Sequence, residues 1–253
     1  MEIELIVIFF GIALIYASVG FGGGSSYLAV LALFFLEVPV IKITALICNI
    51  AVVTGSTIQF SKAKTLNWKK IFPLIFTSVP MAFVGAAYRI TDDAFFVLLG
   101  LSLLIAAIIM LIGRVNSNAN MSNQTTNVTS GIIGGLIGLL SGLVGIGGGI
   151  FLSPVLNFMK WDHPKAIAGC SAVFILVNSI SGLLGQASKG IPAMNFFLTL
   201  SLVLAVTFGG LIGSRIGIFR LFPRVIINIT AILVMIASLE ILAKHTQLFR
   251  LFN

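Results

Sequence analysis

Two glycine clusters supply backbone groups that could bind an anion. They are Gly20-Phe21-Gly22-Gly23-Gly24 and Gly145-Ile146-Gly147-Gly148-Gly149, and each interrupts an apolar stretch. Glycine lets a broken helix turn its amide N–H groups toward a cavity without a Cβ in the way. A short helix that starts at such a break has an electropositive N-terminus, which favours an anion. The residues predicted to bind here are Gly22, Gly23, Gly24, Ser25, Ser26, Gly147, Gly148 and Gly149.

The alternative for these glycines is that they only allow helices to pack closely. Their duplication favours the binding interpretation, because broken helices from two halves of a transporter commonly meet at a site near the membrane centre. We therefore predict that Gly23 and Gly148 line one shared, water-accessible cavity at that depth.

Two sets of polar side chains follow the clusters. Both sets have steps of seven and then three residues, which place each set on one side of a helix. Amides and hydroxyls can bind an oxyanion, and polar groups in membrane helices face the bundle or a cavity. Hydrogen bonding between helices, worth under about 2 kcal/mol per contact, is an equally good interpretation. The sets are Asn49, Ser56 and Gln59, and Ser171, Asn178 and Ser181.

Two arginines are candidate ligands for an oxyanion. Arg89 and Arg215 follow small-residue stretches near the ends of apolar runs, and the planar guanidinium matches oxyanion geometry. Both positions also allow the side chain to extend to the lipid headgroups, which is the interpretation we favour. Lys42 and Lys165 lie at predicted helix starts, where lysines usually anchor a helix at the membrane interface.

The composition indicates an all-α integral membrane protein. Of 253 residues, 58% are hydrophobic and only 9% are charged, and the mean hydropathy is +1.16. Soluble domains carry about a quarter charged residues. The net charge of +8 comes from short gaps between apolar runs, which fits contact with anionic lipid rather than nucleic acid.

The pattern of apolar runs repeats after about half of the chain. The two glycine clusters are 125 residues apart, and the most polar stretch lies between them. A first repeat is predicted over residues 1–115, a polar linker over 116–130, and a second repeat over 131–253. The predicted apolar runs are 3–19, 25–36, 43–60, 71–88, 94–113, 131–144, 149–159, 166–187, 193–214 and 225–243.

Helix length predicts how each repeat crosses the membrane. One helix over 3–36 would be about 50 Å long, more than the hydrocarbon core. We therefore interpret 3–36 and 131–159 as re-entrant hairpins broken at glycine. Three transmembrane helices follow each hairpin: 43–60, 71–88 and 94–113 in the first repeat, and 166–187, 193–214 and 225–243 in the second. An odd number of crossings makes the two repeats inverted.

The basic residues support this topology. The hairpin arrangement puts five of the fifteen on one side and ten on the other, whereas single crossings would give eight against seven. Because the cytoplasmic side is the more basic, we expect both termini outside and the 61–70 loop inside. The five are Lys42, Arg89, Lys189, Lys244 and Arg250.

The sequence resembles the TauE/SafE family of sulfite and organosulfonate exporters, also called the toluene sulfonate uptake permease family. The resemblance covers nearly the whole chain. It is carried by the Gly-x-Gly-Gly-Gly break in each half, best in Ser18–Gly24 with Tyr27-Leu-Ala and in Gly142–Gly149 with Phe151-Leu-Ser-Pro154. It implies export of small sulfur-containing or carboxylate anions across the bacterial cytoplasmic membrane, without fixing the substrate.

Missing motifs narrow the function. The sequence has no P-loop for ATP, no Ser/His/Asp set, no metal-ligand spacing and no mid-membrane Asp or Glu to carry protons. We therefore expect a transporter rather than an enzyme, without cofactor or metal, whose partners are a small anion and membrane lipid. A potential negative inside favours anion exit by about 2.3 kcal/mol per charge per 100 mV. Cation-coupled anion uptake and a non-transport membrane scaffold remain the alternatives.

Overall fold

The computed structural model describes residues 2–18, 21–33, 37–112, 126–219 and 223–245, and the regular structure in these ranges is entirely helical. The chain forms ten helices there: α1 (Glu2–Ser18), α2 (Gly24–Leu33), α3 (Val38–Lys62), α4 (Trp68–Ala87), α5 (Asp92–Ile112), α6 (Asn127–Val144), α7 (Gly149–Phe158), α8 (Pro164–Ala187), α9 (Phe196–Phe219) and α10 (Pro223–His245).

Each predicted apolar run corresponds to one of these helices. The boundaries differ by up to five residues, at the start of α3 and the end of α9. Helix α6 begins at Asn127, inside the predicted linker 116–130. The hydroxyl of Thr126 accepts a hydrogen bond from the amide of Thr129 at 3.2 Å, so a polar segment caps the helix. Residues 116–125 of the linker, and Gly20 of the first cluster, lie outside the described residues.

Six helices in the described ranges are long and apolar enough to cross a membrane, judged by length and composition. The chain is therefore a multi-pass membrane protein. Helix α6 contains the predicted hairpin arm 131–144 and is one of these six helices. It begins one turn earlier than predicted, at Asn127, and so reaches 18 residues. The spans are Val38–Lys62, Trp68–Ala87, Asp92–Ile109, Asn127–Val144, Lys165–Ala187 and Phe196–Ile216.

The two halves of the chain pack by exchanging partners. The first helix of each half packs against the fourth helix of the other half: α1 against α9, and α6 against α4. The third helices, α3 and α8, pack together, and so do the fifth helices, α5 and α10. Each of these main contacts between two helices is thus matched by one between their counterparts five helices along the chain.

Glycine makes the contact between α6 and α4 possible. A Cβ at Gly134, Gly138 or Gly142 would collide with the backbone carbonyl of Leu74, Ser78 or Ala82, respectively. The four-residue steps coincide on both helices, so α6 and α4 run parallel with their backbones in direct contact.

The central pair, α3 and α8, runs antiparallel. Leu46 near the start of α3 lies against Gly182 near the end of α8, and Phe60 near the end of α3 lies against Gly169 near the start of α8. This register places the beginning of α3 at the same end of the bundle as the end of α8.

The two ends of the bundle carry different polar contacts. At the end we call the Lys70 end, Lys70 Nζ forms an ion pair with Asp162 and donates to the Trp161 carbonyl, both at 3.0 Å. At the opposite end, the Lys189 end, Lys189 Nζ donates to the Tyr88 carbonyl at 3.4 Å. Both contacts join α4 to the segments that flank α7 or α8, so they link the two halves.

Candidate functional site

The second glycine break combines three left-handed residues. Gly145 ends α6 with φ 85°, and Gly147 and Gly148 have φ 84° and 83°. Gly148 is the N-cap of α7. In the first break, Gly23 has φ 85° and directly precedes α2. Only glycine adopts this conformation without strain, which explains why glycine occupies these four positions.

Asn49 lies where the two breaks meet. Its side chain is 0% exposed, and its Nδ2 donates to the Ile146 carbonyl of the second break at 2.9 Å. A Cβ at Gly24 would collide with this amide and would approach the Ile146 carbonyl to 2.6 Å. Asn49 stands in the middle of α3, so the convergence lies halfway along a spanning helix.

Gly22 and Gly147 complete this convergence. A Cβ at Gly22 would contact Asn49 and Val53, and a Cβ at Gly147 would contact Asn49 at 3.0 Å and Ser179 at 2.7 Å. We call Gly22, Gly24, Asn49, Gly147 and Ser179 the crossing. The Oδ1 atom of Asn49 and the hydroxyl of Ser179 are buried there without a hydrogen-bond partner among the described residues.

A Cβ added at Gly23 or Gly148 would not meet Asn49. A Cβ at Gly23 would meet Tyr27 and Ile12, and one at Gly148 would meet Phe174, Ile137 and Ser141. Each of these glycines therefore touches its own half of the chain. Contact between the two breaks is seen at Gly24, whose Cβ position lies 2.6 Å from the Ile146 carbonyl; that Gly23 and Gly148 line one shared cavity stays a prediction.

Buried polar groups without a partner concentrate on α8. Asn178 is 1% exposed, yet neither its Oδ1 nor its Nδ2 has a partner in the described part of the chain. The hydroxyl of Ser171, two turns away on the same face, is in the same state. Since an unpaired buried polar group costs about 1–3 kcal/mol, these groups mark a position for water or ligand. Ser179, Gln186, Thr57 and Tyr27 carry further such atoms.

Other predicted site residues have partners within the protein. Ser181 Oγ donates to the Val79 carbonyl of α4 at 2.6 Å, which matches the interhelical interpretation. Ser56 donates to the Val52 carbonyl at 3.4 Å. Ser26 shares a 2.6 Å hydrogen bond with Tyr16, and Ser25 is buried beside it. Gln59 is half-buried.

Arg89 and Arg215 lie apart from the crossing. Both are exposed, whereas the residues of the crossing are buried. Arg89 follows α4 at the Lys189 end. Partial burial, and secondarily the charge of Arg89, lower the pKa of Lys189 from its usual value. The two arginines remain candidates for contact with headgroups or with an arriving anion.

The burial of Lys42 does not match the predicted role of this residue as an interface anchor. It is only 3% exposed and its Nζ donates to the Leu143 carbonyl at 2.8 Å, close to the second break. Lys165, the other lysine at a predicted helix start, is exposed. The position of Lys42 seven residues before Asn49, on the same helical face, was a signal that could have identified it.

The breaks also fix how α3 and α8 correspond. Asn49 contacts Gly24, and Ile175 contacts Gly149; Val53 contacts Gly22, and Ser179 contacts Gly147. Asn49 and Ile175 are 126 residues apart, and so are Val53 and Ser179. The two polar sets differ by 122 residues, so they are displaced by about one helical turn from this correspondence. Ser179, absent from the predicted set, is the residue that this register brings to the crossing.

The candidate site is built from backbone, amide and hydroxyl groups. Within the described residues, no group of three His, Cys, Asp or Glu side chains could hold a metal ion. A site built from amides, hydroxyls and helix N-termini suits a small anion.

Comparison with known proteins identifies the family. The sequence model described as Sulfite exporter TauE/SafE matches residues 5–241. The chain belongs to the TauE/SafE family. This TauE/SafE protein is also similar to "Probable membrane transporter protein y4hK" of Sinorhizobium fredii (strain NBRC 101917 / NGR234). The two are 33% identical over 243 residues, which cover 95% of this chain and 98% of the relative. No solved structure matches the chain significantly.

Proposed function

We propose that this TauE/SafE protein is a membrane transporter that exports a small sulfur-containing anion, sulfite or an organosulfonate, across the bacterial cytoplasmic membrane. The family description and the similar probable membrane transporter support the general function. The observation that carries the choice of site is Asn49, whose buried amide lies between both glycine breaks.

The crossing supports anion binding in two ways. The helices α2 and α7 begin there at Gly24 and Gly149, so two electropositive N-termini approach one region. At the crossing, the Ser179 hydroxyl is buried without a partner among the described residues, and Asn49 Nδ2 has a second N–H besides the one donated to Ile146. A sulfite or sulfonate group would accept hydrogen bonds from these donors without a fully buried counter-ion, whereas Asn49 Oδ1 is an acceptor and makes no such bond to an anion.

The proposed architecture is a pair of inverted repeats, each a re-entrant hairpin plus three transmembrane helices. Its support is the exchange of partners between the halves and the antiparallel register of α3 and α8. The short helix α2 leads from the crossing at mid-membrane to the start of α3, as the second arm of a hairpin does. We further propose that both termini lie outside.

Transport would be driven at least partly by the membrane potential. Exit of a monovalent anion gains about 2.3 kcal/mol per 100 mV when the inside is negative. This is enough for export without a coupling ion. Uptake against that potential would need a coupling ion such as Na⁺.

The function is tested with purified protein in liposomes that contain sulfite, methanesulfonate or sulfate. We expect efflux of at least one sulfur anion, which increases when a valinomycin-set potential makes the inside negative and does not depend on Na⁺. Asn49→Leu should lower this flux at least tenfold, because it removes the polar group between the breaks.

Gly24→Val and Gly147→Val test the role of the two glycines of the crossing in the same flux assay. Each added side chain would enter the crossing, and we expect loss of flux. Gly11→Val is the matched control, because a Cβ at Gly11 meets no atom within 4 Å. Normal flux in the Asn49, Gly24 and Gly147 variants would contradict the site, and absence of anion flux in the wild-type protein would contradict the function.

A further inference from the structure

Lys42 is a buried cation near the second glycine break. It is the one charged residue among the buried polar side chains of the described ranges, at 3% exposure. Its Cβ and Cγ pass the position that a Cβ on Gly145 would occupy, at 3.4 and 3.2 Å. A lysine that extended to the headgroups would expose its ammonium group, so Lys42 does not serve as an interface anchor.

The surroundings of Lys42 leave its charge without a paired carboxylate. Its Nζ donates to the Leu143 carbonyl at 2.8 Å and lies 4.5 Å from the centre of the Phe95 ring. It forms no ion pair within the described residues, which include all seven acidic side chains. Asp92 and Lys189 lie within electrostatic range of Lys42. The negative charge of Asp92 stabilises the ammonium group, and the positive charge of Lys189 destabilises it.

An ionisable group at membrane depth is costly and usually serves function. A lysine ammonium group has three N–H donors, and the Leu143 carbonyl accepts from one of them. A small anion would satisfy both the remaining donors and the charge. A carbonyl and an aromatic ring accept hydrogen bonds or attract a cation, but they do not neutralise it.

The position of Lys42 relates it to the crossing. It precedes Asn49 by two helical turns on the same face of α3, which is about 10 Å along the axis. It lies on the side of the crossing that faces the Lys189 end, where Arg89 and Lys189 are located. In the register set by the breaks, the residue of α8 that corresponds to Lys42 is Ala168. The part of the proposed pathway on the other side of the crossing therefore has no lysine at the equivalent position.

We propose that Lys42 forms a second anion-binding position, which receives the small anion between the crossing and the Lys189 end. This inference rests on the proposed transport function. It makes the pathway asymmetric, with a fixed positive charge on one side of the centre only. The ligand is any small oxyanion that the crossing admits, because an ammonium group recognises charge rather than a particular geometry.

The test compares Lys42→Met, Lys42→Arg and the control Lys165→Met in liposomes and in detergent. Lys165 is an exposed lysine at the corresponding helix start. We expect Lys42→Met to raise the half-saturating sulfite concentration at least tenfold and to reduce the rise in melting temperature that sulfite causes. Lys42→Arg should retain most of both effects, and Lys165→Met should behave as wild type.

A purely structural role, in which Lys42 only binds the last carbonyls of α6, gives a different result. Lys42→Met would then melt at a lower temperature without ligand while its half-saturating concentration and its response to sulfite stayed normal, and that outcome would overturn the proposal. If Lys42→Arg does not fold, the comparison of Lys42→Met with Lys165→Met decides. Absence of anion flux in the wild-type protein would contradict the transport function itself.

Discussion

At the scale of single residues, Asn178 combines complete burial with unused hydrogen-bonding capacity. Both polar atoms of its amide lack a partner in the described structure. Replacement of such a group by an apolar one of similar size is neutral or stabilising. We therefore expect Asn178→Leu to melt at an unchanged or higher temperature while its anion flux falls at least tenfold, measured by thermal unfolding and liposome efflux.

Thr77→Val is the matched control for this prediction. The hydroxyl of Thr77 donates to the Gly131 carbonyl at 2.6 Å, so its loss should lower the melting temperature through an interhelical bond worth up to about 2 kcal/mol. Its flux per folded molecule should stay near the wild-type level. If Asn178→Leu instead melted earlier and transported normally, the amide would be structural.

The sequence predicted residue types better than residue contacts. Asn49 was identifiable because an amide in an apolar run needs a polar environment. Its bond to Ile146 joins residues 97 positions apart, and no local pattern contains that information. Lys42 was misassigned for a related reason: position near a helix start is a local property, whereas burial depends on α5 and α6, which pack over it.

At the scale of helices, the glycine series of α6 sets its distance from α4. A Cβ at Gly138 would collide with the Ser78 carbonyl, and backbone cannot move aside as a side chain can. We expect Gly138→Ala to destabilise the fold by about 1–3 kcal/mol, as overpacking does. The measurement is thermal unfolding in detergent together with the yield of monodisperse protein.

Gly11→Ala tests whether this effect belongs to the contact or to glycine itself. Gly11 is also inside a helix, but a Cβ there has open space. Its melting temperature should be unchanged or slightly higher, because alanine lowers the entropy of the unfolded chain. Equal destabilisation in both variants would show that the close approach of α6 to α4 does not determine stability.

Helix positions were predictable because the length of an apolar run depends only on neighbouring residues in the sequence. All ten predicted runs correspond to helices, and the glycine clusters mark the ends of α1 and α6 correctly. The start of α6 was missed because its first turn is polar and depends on the Thr126 cap rather than on hydrophobicity. The partners of each helix could not be predicted, since many apolar faces are equivalent by composition.

At the scale of the whole molecule, the inverted architecture predicts which loops face which side. Lys64 and Ile191 are exposed in loops at opposite ends of the bundle. Single-cysteine variants at these positions should react with a membrane-impermeant maleimide from inside for Lys64→Cys and from outside for Ile191→Cys. The native Cys48 and Cys170 are buried, so background labelling should be low. Reaction of both variants from the same side would exclude the inverted arrangement.

The exchange of partners between the halves also affects how the protein is made. Helix α1 is synthesised well before its main partner α9, which begins at Phe196. The ribosome therefore delivers five helices to the lipid before α6, the partner of α4, follows. During that interval the faces of the first half that pack on the second half have no partner from it. Assembly is thus a late event in biogenesis, and a chain truncated after the first half would leave helices without partners as a substrate for membrane proteases.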